Sequence, residues 1–212
     1  MTSTFSSGVD VSHYQGTIDW AQVAADGISF AMIKATQGTG YIDPCFSGNW
    51  ASAKQNSVQC GAYHYFLPTS SFLKQADLFL SQLDAVGYDP DADLPPAIDC
   101  EETDNCSVAT YSFALANLLQ ILQRHVNVRP MIYTSPDFWS QIGSPDFSSY
   151  PLWLADYTSG SAPNIPPPWT SCAIWQYSDD GSLNGISGNV DLDRRQPGIA
   201  HLQSSRPALD WF

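Results

Sequence analysis

Short apolar runs alternate with longer amphipathic stretches along most of this chain. Strand-like runs bounded by turn residues are predicted at 7–11, 29–34, 60–66, 94–101, 129–134, 152–157, 171–177 and 189–192. Helical patterns fill the first five gaps, at 19–26, 46–56, 71–86, 108–125 and 136–142. The clearest is the fourth, where Leu115, Leu118, Leu119 and Leu122 recur at three- and four-residue spacing and Ser107 is placed to cap the N-terminus. Two segments read as loops: 158–169, with Pro163 and Pro166-Pro167-Pro168, and 178–188. About five β/α units followed by three strands with few helices predict an α/β fold, a parallel sheet closed into a barrel with an irregular last third. No repeat or linker divides the chain. A single domain over 1–212 is expected, with its core at about 7–193 and a C-terminal tail at 197–212.

Composition narrows the function. Of 212 residues 43% are hydrophobic and 14% charged, enough apolar material for a large core. Eight Lys and Arg against 21 Asp and Glu give a net charge of −13, which repels a phosphate backbone and argues against nucleic-acid binding. No apolar run reaches the ~18 residues that span a bilayer, so the chain is not expected to be membrane-embedded. The first residues lack the basic start and apolar stretch of a secretory signal. Cys45, Cys60, Cys100, Cys106 and Cys172 form no zinc-type cluster, and their spacing does not assign a pairing.

Barrel enzymes carry their reacting groups at the C-terminal ends of strands. The polar residues ending the predicted strands are Asp10, Lys34, His64 flanked by Tyr63 and Tyr65, Asp99 with Glu101, Tyr133, Asp156 with Tyr157, Gln176 with Tyr177, and Asp191. Asp99 and Glu101 lie two apart on a predicted strand, so both point to one face with alpha carbons about 6.5–7 Å apart. Like charges that close raise one pKa. A protonated acid beside a carboxylate is what cleavage of a glycosidic bond requires. An exposed strand end satisfied by an arginine would give the same triplet. Asp10 either adds negative potential or caps the following helix, and Asp191 with Asp193 repeats the one-face pattern. Converging carboxylates could hold a metal ion, but there is no EF-hand spacing and no histidine pair at helical spacing, so neither metal nor cofactor is expected. Tyr63, Tyr65, Tyr133, Trp153, Tyr157 and Trp175 fall at or near strand ends, where aromatic faces either stack on sugar rings or fill the barrel. Lys34 is placed to pair with a site carboxylate or touch substrate. His64 reads as a hydrogen-bonded core residue rather than a base.

A set of motifs then appears in order: Asp10-Val-Ser with Gln15-Gly16, Ile33-Lys-Ala-Thr-Gln-Gly38, Gly61-Ala-Tyr-His-Tyr-Phe66, Ile98-Asp-Cys-Glu101, Pro130-Met-Ile-Tyr-Thr-Ser135, Leu152-Trp-Leu-Ala-Asp-Tyr157, Trp175-Gln-Tyr-Ser178 and Val190-Asp191. Together, over about residues 7–193, they resemble the glycoside hydrolase family 25 lysozymes, the Chalaropsis-type N-acetylmuramidases. The resemblance implies an irregular flattened β/α barrel that hydrolyses the β-1,4 bond between N-acetylmuramic acid and N-acetylglucosamine. It implies Glu101 as general acid/base and Asp99 as the residue that holds the substrate acetamide, whose carbonyl oxygen is the nucleophile. Asp10 and Asp191 would line the same floor, with Tyr63 and Tyr133 beside the reacting sugar and Trp153 and Lys34 near it. The implied partner is the glycan strand of bacterial peptidoglycan, met outside the cell by a monomer. Gln37 stands where relatives often carry Glu, Arg194-Arg195 where an aromatic is frequent, and no wall-binding repeat follows. A chitinase or endo-N-acetylglucosaminidase is the alternative enzyme, but Pro95, Pro96, Ala97 and Ile98 replace the acidic ladder expected upstream of Asp99. A non-catalytic sugar-binding barrel would be expected to have lost Asp99 or Glu101.

Overall fold

The computed structural model describes residues 5–195, so the tail expected at 197–212 lies outside the described residues. Nine strands occur among the described residues, β1 (Ser6–Val11), β2 (Phe30–Gln37), β3 (Tyr41–Ile42), β4 (Gln59–Tyr65), β5 (Ala97–Asp99), β6 (Met131–Thr134), β7 (Leu152–Ala155), β8 (Ile174–Gly181) and β9 (Val190–Arg195). Among them run α1 (Trp20–Ala25), α2 (Phe46–Gln55), α3 (Phe72–Ala85), α4 (Val108–Val126), α5 (Pro136–Gln141) and a short 3-10 helix, His13–Gln15. Side-chain oxygens of Asp19, Ser71, Ser107 and Ser135 cap α1, α3, α4 and α5 by accepting first-turn N–H groups. The sheet order is β1-β9-β8-β7-β6-β5-β4-β2-β3, and β1 also pairs with β2. Eight strands therefore close into a barrel, with β3 hanging from the rim of β2. Five β/α units precede three strands with few helices, as the hydrophobic pattern predicts.

The period of two along each strand divides the apolar residues into two layers. Val9, Ile33, Ala62, Ile98, Ile132, Leu152 and Leu154 point outward into the core shared with the helices. Phe30, Met32, Leu94, Ala97, Met131 and Ile174 point inward and plug the lower barrel. Gly8 and Gly61 make room for this plug, since a Cβ at either position would collide with the Phe30 ring or with Met32. Above the plug the inward residues turn polar, and that change from apolar to polar layer sets the floor of the site.

Four expectations are corrected. The sheet is mixed rather than parallel: β9 runs antiparallel to both β1 and β8. A strand returning from the top of the barrel presents its first residues there, so Asp191 stands near the start of its strand rather than at the end. The strand predicted at 94–101 is only Ala97–Asp99. Pro95 and Pro96 have no N–H to give a ladder, and Glu101 lies in the coil beyond. β2 runs on to Gln37 and turns through Gly38, whose φ is +54, into β3, a hairpin absent from the prediction. β8 runs from 174 to 181, into the segment read as a loop, through two irregularities in its pairing with β9.

Among the described residues no helix is long and apolar enough to cross a membrane, and all five cysteines are free thiols. Gly8→Ala should destabilise the barrel by about 1–3 kcal/mol through overpacking against the buried Phe30, lowering the melting temperature by roughly 2–12 °C in a calorimetric scan. An unchanged melt would mean that the plug repacks freely.

Candidate active site

Two lobes open at the top of the barrel. The wider, about 390 Å³, is lined by Lys34, Gln37, Tyr65, Tyr14 and Gln15. The narrower, about 140 Å³, is lined by Tyr133, Trp153, Tyr157 and Gln176. Asp10, Tyr63, Asp99, Glu101 and Asp191 belong to both lobes and stand at their junction. The four carboxylates singled out in the sequence thus converge, although three different strands and a coil supply them. Asp10 and Asp191 are direct cross-strand partners in the β1–β9 ladder. A larger shallow depression, about 660 Å³ between α1, α2 and residues 185–187, shares none of these residues. Its one ionisable group, Asp19, is engaged as the cap of α1.

Burial governs the electrostatics. Asp99 is buried, and its Oδ1 has no hydrogen-bond partner. Desolvation, then the charge of Glu101, raises its pKa well above the carboxylate range, while the Lys34 ammonium opposes the shift. Glu101 reaches solvent at the mouth, but desolvation on its inner side raises it as well, against the pull of Lys34. The pair therefore keeps a proton at pH values where an ordinary carboxyl has lost it. Lys34 is itself fixed: its Nζ donates to Gln37 Oε1 at 3.1 Å and lies 4.9 Å from the centre of the Tyr65 ring.

A second carboxyl group of residues sits beneath. Gln176 Nε2 donates to Asp10 Oδ2 at 2.6 Å, and the hydroxyls of Tyr133 and Tyr157 donate to Gln176 Oε1 at 2.9 and 2.7 Å. Because both phenols donate inward, their oxygens keep acceptor capacity toward the narrow lobe. Asp193, fully buried, accepts from Trp153 Nε1 at 2.8 Å through Oδ1, and its Oδ2 has no hydrogen-bond partner. Burial pushes Asp193 up to about 8 and Asp191 to about 6, and raises Asp10 well above the usual range with help from both neighbours.

Lys34, Tyr63, Tyr65, Tyr133, Trp153 and Tyr157 all line the lobes. Trp175 does not. It has the opposite parity to Ile174 and Gln176 on β8, so it faces out of the barrel into the helix-side core and donates its Nε1 to the Asp156 carbonyl. His64 is buried on that same outer side, between Thr36 Oγ1 (2.7 Å) and Gln75 Oε1 (3.1 Å), and desolvation lowers its pKa to about 4. It is a neutral core histidine. Gln176 and Asp193 were not assigned site roles from sequence, though each is a polar residue on the inward parity of its strand, Gln176 in register with Ile174 and Asp193 with Asp191. Among the described residues no group of three or more His, Cys, Asp or Glu side chains is arranged to hold a metal ion.

The family model described as "Glycosyl hydrolases family 25" matches residues 9–186 of this chain. The chain belongs to glycosyl hydrolase family 25. It is a glycoside hydrolase of the lysozyme class. This family 25 chain is 35% identical to Lysozyme M1 of Streptomyces globisporus, over 92% of its own length and 69% of the relative's. It is 30% identical to the N,O-diacetylmuramidase of Chalaropsis sp, over 87% and 95% of the two chains. The crystal structure of the bacterial lysozyme from Streptomyces coelicolor superposes with a TM-score of 0.85 at 32% identity, covering 96% and 97%.

The raised carboxyls give this family 25 enzyme a defined pH signature. An acid whose pKa rises on folding binds its proton more tightly in the folded state, so stability falls as pH climbs from the unfolded value to the folded one. For Asp193 that window runs from 3.8 to about 8. Asp193→Asn mimics the protonated acid in charge and keeps an acceptor for Trp153. Its melting temperature should therefore fall less steeply between pH 4 and 8 than that of the wild type, and parallel pH profiles would exclude a proton at this position.

Proposed function

We propose that the enzyme is a muramidase acting outside the cell on the glycan strands of bacterial peptidoglycan. It cleaves the β-1,4 bond between N-acetylmuramic acid and N-acetylglucosamine, with the substrate's own acetamide as nucleophile. The observation that carries this reading is the unpartnered, buried Oδ1 of Asp99. A buried acceptor without a donor costs about 1–3 kcal/mol, and an acetamide N–H arriving from the narrow lobe would satisfy it.

The chemistry follows from the residues at the junction. The acetamide N–H donating to Asp99 favours its ionised form, which leaves the pair's proton on Glu101, and Glu101 gives it to the glycosidic oxygen as the C1–O bond breaks. The acetamide carbonyl oxygen attacks C1 while Asp99 accepts from the amide N–H, which orients the carbonyl and balances the positive charge spread over the new ring. Water then attacks C1, Glu101 takes its proton, and the anomeric configuration is retained. Asp10 and Asp191 add negative potential beneath the cationic transition state. The hydroxyls of Tyr133 and Tyr157, held by Gln176, and the Tyr63 and Trp153 rings shape the lobe around the reacting sugar. Burial raises Tyr63 and Tyr133 well above the usual phenol range, so both stay neutral.

Glu101→Gln should lower turnover of purified cell wall by at least ~10²–10⁴-fold while still binding glycan. Retained turnover would place the acid elsewhere. Mass spectrometry of the released fragments should find N-acetylmuramic acid at the new reducing ends, glucosamine ends indicating the alternative hydrolase. Wall stripped of N-acetyl groups should be a very poor substrate, and equal rates on both materials would rule out acetamide participation. Gln176→Met removes the donor to Asp10 and the acceptor of both phenols, and kcat/KM should fall about 10- to 100-fold. A Gln176→Met enzyme with wild-type kinetics would separate this network from catalysis.

A further inference from the structure

Exposed aromatic side chains gather at one place beside the cleft. Tyr14 is 81% exposed and Tyr41 38% exposed, and the His13 ring lies between them. Ring centroids are 4.1 Å apart for His13–Tyr14 and 5.9 Å for His13–Tyr41. Single exposed rings are ordinary on a protein surface, whereas a contiguous group marks an interaction site.

The group is held rigidly although its members come from separate loops. His13 and Tyr14 ride on the 3-10 helix, where Ser12 Oγ accepts from Tyr14 N (3.2 Å) and Gln15 Oε1 accepts from Ser12 N (2.9 Å). Tyr41 sits on β3, the rim hairpin. Buried Asp43 ties the two together, accepting from His13 N at 3.0 Å, from His13 Nδ1 at 2.9 Å and from Cys45 N at 2.9 Å. The Tyr41 hydroxyl lies 3.1 Å from the same Nδ1. Ordering exposed rings in this way offers little to the fold and much to a ligand, because a preorganised surface spares the ordering cost of binding.

Tyr14 also lines the wide lobe, so the group is continuous with the cleft. A polymer bound across the junction carboxylates and running out through the wide lobe must leave over this edge. We infer that His13, Tyr14 and Tyr41 form a carbohydrate-binding ledge that stacks an N-acetylated aminosugar ring of the same glycan strand, outside the cleft. The ledge offers flat ring faces and hydroxyls with a carboxylate behind them, which suits the apolar face and hydroxyl edge of a neutral sugar. The inference rests on the muramidase reading and adds to it a site that senses strand length.

Affinity for peptide-free glycan strands, measured by calorimetry in the inactive Glu101→Gln background, tests the ledge with a tetrasaccharide and an octasaccharide. The octasaccharide should bind more tightly, and Tyr14→Ala should remove about three- to tenfold of that advantage. Tyr14→Trp should keep it, because stacking needs a ring and not a phenol. Because Tyr14 is mostly exposed, its replacement leaves the buried core in place, and Tyr41→Ala in the same background provides an independent reading. If the length advantage in Tyr14→Ala and in the Tyr14→Ala/Tyr41→Ala double variant equals that of the Glu101→Gln parent, the ledge is overturned, while tetrasaccharide binding still supports the muramidase reading. If neither oligosaccharide binds the Glu101→Gln enzyme, the muramidase reading falls and the ledge with it.

Discussion

Five carboxyl groups crowd the upper interior of one small barrel, and the cost of keeping charge there organises everything around them. Removing a carboxylate from water carries a penalty of several kcal/mol per ion unless it is paired or keeps its proton. Among the described residues Lys34 is the only cation lining the two lobes, so the protein relies on protons and neutral donors instead. Gln176 and the Trp153 indole supply N–H groups, and burial raises the pKa values of Asp10 and Asp193 so that they hold their protons to higher pH. The proposed mechanism, which stabilises a cation and delivers a proton, is well served by such an excess of acid.

The two layers of the barrel divide the labour. The apolar plug of Phe30, Met32, Met131 and Ile174 holds the strands at fixed spacing and closes the lower end. It also limits how deep water and substrate can go, so the polar layer above faces a shallow, dry-floored space. Gly8 and Gly61 are the places where backbone gives way to let that plug fit. Geometry at the site is thus inherited from packing two residues below it on the same strands.

Much of this could be read along the chain. The leucine spacing of α4, its Ser107 cap, the order of five β/α units and the convergence of Asp10, Asp99, Glu101 and Asp191 all follow from local pattern and from the rule that barrel chemistry sits at one end. What escaped depended on direction and parity. An antiparallel strand has the same alternation as a parallel one, so nothing in Val190-Asp-Leu-Asp193 reveals that β9 runs back toward the floor. Trp175 and Gln176 are neighbours in sequence, but a one-residue difference sends the indole to the helices and the amide to the centre. The choice of Asp10, Tyr133 and Tyr157 as partners for Gln176 is a property of β1, β6 and the coil that follows β7. Glu101 lies beyond a strand that ends at Asp99, yet its place at the site was legible because the coil keeps it over the same opening.

The reversed direction of β9 has a consequence for when the enzyme comes into being. That strand is both the stave that seals the barrel between β1 and β8 and the carrier of Asp191 and Asp193. It is also the last strand to be translated among those described. A growing chain can lay down α1 to α5 with Asp99 and Glu101 while the wall of the barrel is still open. Closure of the barrel and the arrival of Asp191 and Asp193 at its floor are then one event, the insertion of the final stave.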